Sequence, residues 1–145
     1  MKKWGSGKYP SKKCEYVNKQ GKKVKMDSKI EFERYLELEQ LLIAGKIKNL
    51  QTQVAYEIFK GFTDPAGKKR RKIEYICDSR YFDVENDCMV IEDVKSKATA
   101  KDDVYRIKKK MIIYKLMRIQ EETGIEHEFR EVIRCLLYTS PSPRD

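Results

Sequence analysis

The chain has 145 residues, and 32 Lys and Arg against 23 Asp and Glu give it a formal net charge of +9 at pH 7. This length suits a single domain, and no run approaches the roughly 18 apolar residues of a membrane-spanning helix. We therefore expect a cytoplasmic protein without a membrane partner. The basic excess indicates a polyanionic partner, of which nucleic acid is the first candidate, and a merely solubilising surface charge is the alternative.

The N-terminal segment, residues 1–27, is predicted to be a basic arm. Its nine lysines oppose two acidic residues, which gives a net charge of +7, and such a segment can contact phosphates. Residues 16–17 and 24–26 flank Gly21 and can form a small hairpin within it.

A helix is predicted over residues 28–44. Ser28 and Glu31 fit a capping box at its start, and Gly45 stands where a helix C-terminus favours glycine. The helical spacing puts Glu31 on one face with Tyr35, at the edge of the buried side.

Strands are predicted next, in the second half of residues 47–59, over 73–82 and over 88–95. The last two are joined by a tight connection and are expected to pair as a hairpin. Between the first and second strands lies a run of five basic residues, 68–72.

A long helix is predicted over residues 101–122, and a last strand over 128–133. The buried stripe of this helix is predicted to comprise four apolar residues, Val104, Ile107, Met111 and Tyr114. The element order is therefore α-β-β-β-α-β, an α/β chain with a mixed α+β sheet in a single domain over 28–134.

The last eleven residues, 135–145, resemble the translated read-through of a sequencing-library adapter. We therefore set them aside as a non-native tail, with a natural polar tail as the alternative. Their removal leaves the net charge at +9, because they contain one Arg and one Asp.

Histidine and cysteine limit the chemistry of a site. The one histidine, His127, speaks against a His-dependent nucleophile or a zinc site, and a surface or strand position is expected for it. The cysteines show no close pair and are predicted to be free thiols of a reducing compartment: Cys14, Cys77, Cys88 and Cys135. A metal would then need carboxylate ligands, which suits Mg²⁺ or Mn²⁺.

Asp78, Asp93 and Lys95 carry the candidate chemistry. Asp93 and Lys95 lie two residues apart on one strand, so their side chains leave the same face as Ile91. If the hairpin register brings Asp78 beside Asp93, the two carboxylates can share a divalent cation, and Glu31 can complete the cluster. Carboxylate-held Mg²⁺ neutralises a scissile phosphate and activates water, and a lysine beside it can orient that water.

These residues also carry a resemblance. Asp78, followed after fourteen residues by Asp93 and Lys95, resembles the PD-(D/E)xK nuclease motif, for which an acidic residue on a preceding helix, here Glu31, is typical. Residues 26–132 resemble a family of small phage proteins of unknown function, which is similar to the endonuclease I type of Holliday junction resolvase. Further matching stretches are 27–29, 34–35, 44–47, 50–51, Gln53, 71–75 and 92–95.

The resemblance implies a restriction-endonuclease-like core sheet flanked by helices. It also implies a catalytic set of Asp78, Asp93, Lys95 and Glu31, with metal held by the three acidic residues. The implied activity is the Mg²⁺- or Mn²⁺-dependent hydrolysis of branched or distorted DNA, in phage recombination or DNA processing in the host cytoplasm.

Some positions depart from the family pattern or admit another interpretation. Cys77 stands where a proline is usual, and Ser96 where a glycine is frequent, but neither is a metal ligand. Glu31 can be a helix cap only, and Asp93 a solvated strand end. Glu92 points to the other face of its strand and becomes a ligand only through a bulge or a register shift.

DNA is the expected partner, and a homodimer is expected by analogy, because junction resolution usually needs two active sites. The residues predicted to contact its phosphates are Lys68, Lys69, Arg70, Arg71, Lys72, Lys97, Lys101, Lys109 and Lys110. For the run 68–72, a solvated loop is the alternative. The alternative function is a non-catalytic basic DNA-binding protein or a phage accessory protein.

Overall fold

A computed structural model describes residues 14–18, 20–26 and 28–134 of the chain. The strands are β1 (Cys14–Val17), β2 (Lys23–Met26), β3 (Ile47–Phe59), β4 (Phe62–Thr63), β5 (Lys69–Arg70), β6 (Ile73–Asp83), β7 (Cys88–Ser96) and β8 (His127–Arg134). The helices are α1 (Lys29–Ile43), α2 (Lys97–Ala100) and α3 (Asp103–Thr123). Residues 1–13 of the predicted arm and the predicted tail, 135–145, lie outside the described residues.

The first helix begins where the sequence predicts it. Ser28 is the N-cap of α1, and its hydroxyl oxygen accepts a hydrogen bond from the backbone N–H of Glu31 at 3.3 Å. Gly45 follows the C-cap with a φ of 77°, a left-handed conformation that glycine adopts without steric cost. Tyr35 and Leu38 are buried and Glu31 is half-buried, so the predicted apolar face packs inward.

Four strands form the central sheet in the order β3-β6-β7-β8. The pairs β3–β6 and β6–β7 are antiparallel, whereas β8 runs parallel to β7 after the crossover through α3. The fold is therefore mixed α+β with a mixed sheet. Its main elements, α1-β3-β6-β7-α3-β8, follow the predicted order.

Two short strand pairs lie outside the central sheet, β1–β2 and β4–β5. The hairpin expected around Gly21 is confirmed, since β1 and β2 pair antiparallel with Tyr16 opposite Val24. Within the basic run 68–72, β5 pairs with β4, so this run is only partly a loop.

The predicted long helix is present, but it begins two residues after the predicted start near residue 101. The short helix α2 comes first, and α3 begins after Asp102, whose carboxylate accepts a hydrogen bond from the backbone N–H of Tyr105 at 3.1 Å. This cap sets a new helix start, because it satisfies an N–H that the first turn leaves unpaired.

The two sides of the sheet are covered by different helices. On the α1 side, the buried cluster consists of Leu38, Ile47, Tyr81, Cys88 and Val90. On the α3 side, it consists of Tyr75, Cys77, Ile91, Tyr105, Ile112 and Leu116. Removal of this apolar surface from water holds both helices against the sheet.

The predicted buried stripe of α3 is wrong. Val104 is 62% exposed, Ile107 61% and Tyr114 60%. The residues that α3 buries instead are Tyr105, Ile112 and Leu116. Because α3 carries apolar residues on two faces, its periodicity does not choose between them, and packing against β8 and β3 does.

Within the described residues, no helix is both long and apolar enough to cross a membrane. Cys77 and Cys88 are buried free thiols, as predicted, and burial raises the pKa of Cys77 to about 11. The Cys14 side chain and Cys135 lie outside what the structure describes. His127 begins β8, and its Nδ1 lies 2.7 Å from a backbone carbonyl oxygen.

Candidate functional site

The strand β6 changes sides of the sheet at the level of Asp78. Cys77 packs in the α3-side cluster, whereas Tyr81 packs in the α1-side cluster. Regular alternation would put both side chains on one side, so the strand turns over between them. Across from Asp78 on β3, Gln53 has a φ of 53°, in the left-handed region that few non-glycine residues adopt.

At this irregularity, the carboxylates of Asp78 and Asp93 replace backbone carbonyl groups as the acceptors between β6 and β7. The regular ladder between β6 and β7 ends at the pair of Ser79 and Glu92. One step further, the backbone N–H of Asp78 donates to Oδ1 of Asp93 at 2.9 Å, and the N–H of Val94 donates to Oδ2 of Asp78 at 2.8 Å. Each carboxylate is therefore held by the backbone of the opposite strand, and Asp78 and Asp93 lie together.

Asp93 is a buried acid, with 1% of its surface exposed. Burial raises the pKa of Asp93 to about 6, against the lowering effects of the Lys95 ammonium and the Asp78 N–H, and Glu131 adds a smaller increase. Carboxyl groups whose pKa is raised by burial beside a charged partner are frequent in functional sites, because such sites use burial and neighbouring charges to shift pKa values.

Lys95 lies on the same face of β7 as Asp93. Its Nζ stands 4.8 Å from the centroid of the Tyr105 ring, which is a cation–π contact. The Tyr105 hydroxyl donates to one oxygen of Glu131, and Lys109 Nζ donates to the other at 3.0 Å. The first two turns of α3 therefore hold both the lysine and a third acid beside Asp93.

Sequence reasoning does not find Glu131 or Tyr105. Glu131 is the register partner of Asp93 in the parallel pair. Burial raises the pKa of Glu131, but hydrogen bonds from Tyr105 and Lys109 outweigh it, and the net pKa lies below the usual value. Burial, and next the bond to Glu131, raise the pKa of Tyr105, so its hydroxyl remains a donor. The sequence does contain one signal for Glu131: it lies two residues after Phe129 on the predicted last strand, so both side chains share one face of that strand.

The structure does not bring Glu31 into a three-carboxylate group with Asp78 and Asp93. Glu31 occupies the first turn of α1, where its backbone N–H donates to the Ser28 hydroxyl. Over the described ranges, no three His, Cys, Asp or Glu side chains gather closely enough to hold a metal ion. The cap by Ser28 is observed, and the role of the Glu31 carboxylate as a third ligand stays a prediction.

Glu92 lies on the opposite side of β7, as alternation predicts, and is fully buried. Arg34 donates from Nε and Nη2 to its two carboxylate oxygens at 2.7 and 3.0 Å, and the Tyr81 hydroxyl donates at 2.7 Å. Arg130 donates in turn to the Tyr81 hydroxyl at 3.1 Å. This network joins α1 to three strands, so Glu92 serves the packing of the sheet.

The basic run 68–72 is exposed over its whole length. Arg70 and Lys72 each pair with a nearby carboxylate, at 2.9 and 3.0 Å. The run leads into β6, about 20 Å of extended strand before Asp78.

Three of the other predicted lysines, on α2 and α3, lie nearer to Asp78 and Asp93 along the fold than the run 68–72 does: Lys97, Lys101 and Lys109. Lys97 and Lys101 stand at the two ends of α2, which follows β7 directly after Ser96, and both are exposed. Lys109 is turned into the site, whereas Lys110 is exposed on α3. Only part of the predicted basic set therefore borders the site.

Comparison with known proteins gives a family and no function. No curated protein and no solved structure matches the sequence significantly. A family model described as "Protein of unknown function (DUF1064)" matches residues 6–139, and the chain therefore belongs to this uncharacterised family.

Proposed function

We propose that this protein is a divalent-metal-dependent endodeoxyribonuclease that cuts branched or distorted DNA, in phage recombination or DNA processing. The observation that carries the proposal is the reciprocal pair of hydrogen bonds between Asp78 and the backbone of β7, and between Asp93 and the backbone of β6. The proposal includes the finer fold assignment, a PD-(D/E)xK core built of α1, β3, β6, β7, α3 and β8.

The donor set fits Mg²⁺ or Mn²⁺. Both side chains offer hard carboxylate oxygens, and Mg²⁺ is commonly held by one or two carboxylates together with water and substrate phosphates. When bound, such a cation supplies a Lewis acid for the phosphoryl group and lowers the pKa of a coordinated water.

The residues of the chain then have distinct roles. Asp78 and Asp93 hold the cation, with Glu31 as a candidate third ligand from α1. Lys95, held over the Tyr105 ring, presents an ammonium that orients the attacking water and offsets the negative charge that develops on the phosphate. In the hydrolysis, the water oxygen bonds to phosphorus, one phosphorus–sugar oxygen bond breaks, and a proton reaches the leaving oxygen.

The surrounding charge supports a DNA substrate. Carboxylates alone would repel a phosphodiester, so the +9 net charge of the chain and the lysines of α2 are needed to bring the backbone to the site. The preference for branched or distorted DNA rests on the resemblance to junction resolvases.

The test uses the wild-type protein with three DNAs: supercoiled plasmid, a four-way junction, and a linear duplex of the same sequence. We expect cleavage with Mg²⁺ or Mn²⁺, none with EDTA, and the fastest cleavage on the junction. Binding without cleavage under every metal condition would overturn the nuclease and favour a non-catalytic DNA-binding or accessory protein. Equal cleavage in EDTA would overturn the metal dependence.

A further inference from the structure

Arg80 is a half-buried arginine whose charge the fold does not neutralise. Over the described ranges, the other half-buried arginines each pair with a glutamate at 2.7 to 2.9 Å: Arg34, Arg130 and Arg134. Within the same ranges, Arg80 contacts only neutral groups, the side-chain oxygen of Gln51 and the hydroxyl and ring of Tyr56. Because a charge that is partly withdrawn from water is costly unless an opposite charge meets it, this position favours an anion from outside the chain.

The two neutral partners fix the Arg80 guanidinium and leave part of it unused. Nε donates to Gln51 Oε1 at 3.0 Å, Nη2 donates to the same oxygen, and Nη1 donates to the Tyr56 hydroxyl at 3.1 Å. A guanidinium has five N–H groups, so one on Nη1 and one on Nη2 have no acceptor among the described residues. Two such N–H groups in a rigid plane match the oxygens of a phosphate group.

A recess of about 280 Å³ opens beside this guanidinium, and residues of the β1–β2 hairpin, α1, β3 and β6 line it. Among the described residues of its lining, a second cation and four neutral polar side chains accompany Arg80, and no carboxylate does: Lys22, Asn18, Gln20, Gln51 and Thr52. Asn18 Oδ1 accepts a hydrogen bond from the backbone N–H of Lys22 at 2.8 Å, which fixes the hairpin turn. The recess therefore has the charge and the polar groups that an anion requires.

The recess adjoins the segment of β6 that contains Asp78. Arg80 follows Asp78 by two residues, or about 7 Å of extended strand. Its guanidinium extends from Gln51, its own register partner on β3, to Tyr56, whose register partner on β6 precedes Asp78. The guanidinium therefore lies along the segment that holds one carboxylate of the candidate metal site.

We propose that Arg80 and Lys22 form a subsite for a phosphodiester group of the DNA strand that passes the carboxylates of Asp78 and Asp93. The inference rests on the proposed function for the identity of its ligand, DNA, but it does not require cleavage. A phosphodiester supplies the negative charge that Arg80 lacks, and its two free oxygens can accept from the two remaining N–H groups. Because phosphate contacts position the backbone without reading bases, the subsite sets the path of the strand for any sequence.

The experiment measures the affinity for a fluorescent four-way junction in EDTA, over a series of salt concentrations. Without metal no cleavage takes place, so an inactive nuclease and a wrong subsite give different results. We expect Arg80→Gln to raise the Kd by about tenfold and to reduce the salt slope of the affinity by about 1. Lys22→Gln should act in the same direction. Arg118→Gln removes the same charge from an exposed position near the end of α3 and should change the Kd by less than about twofold.

Several outcomes would overturn the subsite. Wild-type affinity and salt slope in folded Arg80→Gln would do so, and so would an equal loss in Arg118→Gln. If Arg80→Gln does not fold, Lys22→Gln decides alone, because Lys22 is exposed in the hairpin turn. A rise of the unfolding temperature in inorganic phosphate that Arg80→Gln abolishes, without any change in junction affinity, would assign the recess to a free anion and overturn DNA as its ligand. Absence of junction binding by the wild type would overturn the DNA substrate and the subsite together.

Discussion

Asp78 and Asp93 are held by each other's strands: the N–H of Asp78 donates to the Asp93 carboxylate, and the Asp78 carboxylate accepts from the N–H that follows Asp93. Two side-chain bonds thus continue the sheet where the regular ladder stops. This arrangement fixes both carboxylates by backbone contacts, and it leaves a buried acid with a raised pKa beside a lysine.

The first prediction concerns the stability cost of Asp93 in metal-free buffer. Its folded-state pKa of about 6 lies above the unfolded value of about 3.9. The folded state therefore binds more protons between these values, and stability falls as the pH rises from about 4 to about 6. Asp93→Asn should remove this loss and raise the free energy of unfolding at pH 7.5 by up to roughly 3 kcal/mol.

Urea unfolding in EDTA at pH 7.5 and at pH 4.5 checks this prediction. The gain should shrink toward zero at the lower pH. Asp87→Asn is the matched control, because Asp87 lies in the exposed β6–β7 turn with a φ of 55° that asparagine also tolerates. A gain of the same size at both pH values would contradict a titrating Asp93.

A second prediction separates the ring of Tyr105 from its hydroxyl. Tyr105→Phe keeps the aromatic face under Lys95 but loses the bond to Glu131, whereas Tyr105→Leu loses both. If Lys95 acts in cleavage, Leu should lower kcat by about tenfold with KM for DNA unchanged, and Phe should lower it much less. Equal kcat values for the two variants would show that the ring does not position the lysine.

The third prediction concerns the ion pair on the other side of the sheet. Glu92→Gln removes the fully buried charge that the half-buried Arg34 contacts, leaves Arg34 only its exposed partner Glu37, and should cost about 2 kcal/mol of unfolding free energy. Arg118→Gln breaks an exposed contact of 3.9 Å with Glu121 and should change it by less than about 0.5 kcal/mol. Similar losses for both variants would contradict the structural role of Glu92.

The fourth prediction tests the lysines of α2. Lys97→Ala and Lys101→Ala should each weaken DNA binding and reduce the salt slope of the affinity by about 1. Cleavage at saturating DNA should persist. Lys46→Ala is the control, because Lys46 lies beside the β6–β7 turn, at the far end of the hairpin from Asp93. A salt slope that changes equally for Lys46→Ala would remove α2 from the DNA surface.

Local signals predicted much of the fold. The Ser28 cap, Gly45 and the β6–β7 hairpin depend on residues close in sequence, and each lies where its pattern indicates. The pairing of Asp78 with Asp93 follows from that hairpin as well, since its register needs only a short connection.

The parts that could not be predicted depend on contacts distant in sequence. Glu131 joins the site only because β8 lies parallel to β7, which places it level with Asp93. The orientation of α3 depends on which of its two apolar faces packs against the sheet. The face that packs also brings Tyr105 and Lys109 into hydrogen bonds with Glu131. The turnover of β6 at Asp78 has no local sequence signal.

The most direct test of the metal-site assignment is the single-turnover rate of DNA cleavage by Asp93→Asn in Mg²⁺, compared with wild type and with Asp87→Asn. Loss of one ligand from a two-carboxylate site removes several kcal/mol of transition-state stabilisation, so Asp93→Asn should cut about a thousandfold more slowly while binding DNA normally. Asp87→Asn should cut at the wild-type rate. Wild-type cleavage by Asp93→Asn would contradict the assignment of Asp78 and Asp93 as the catalytic metal site.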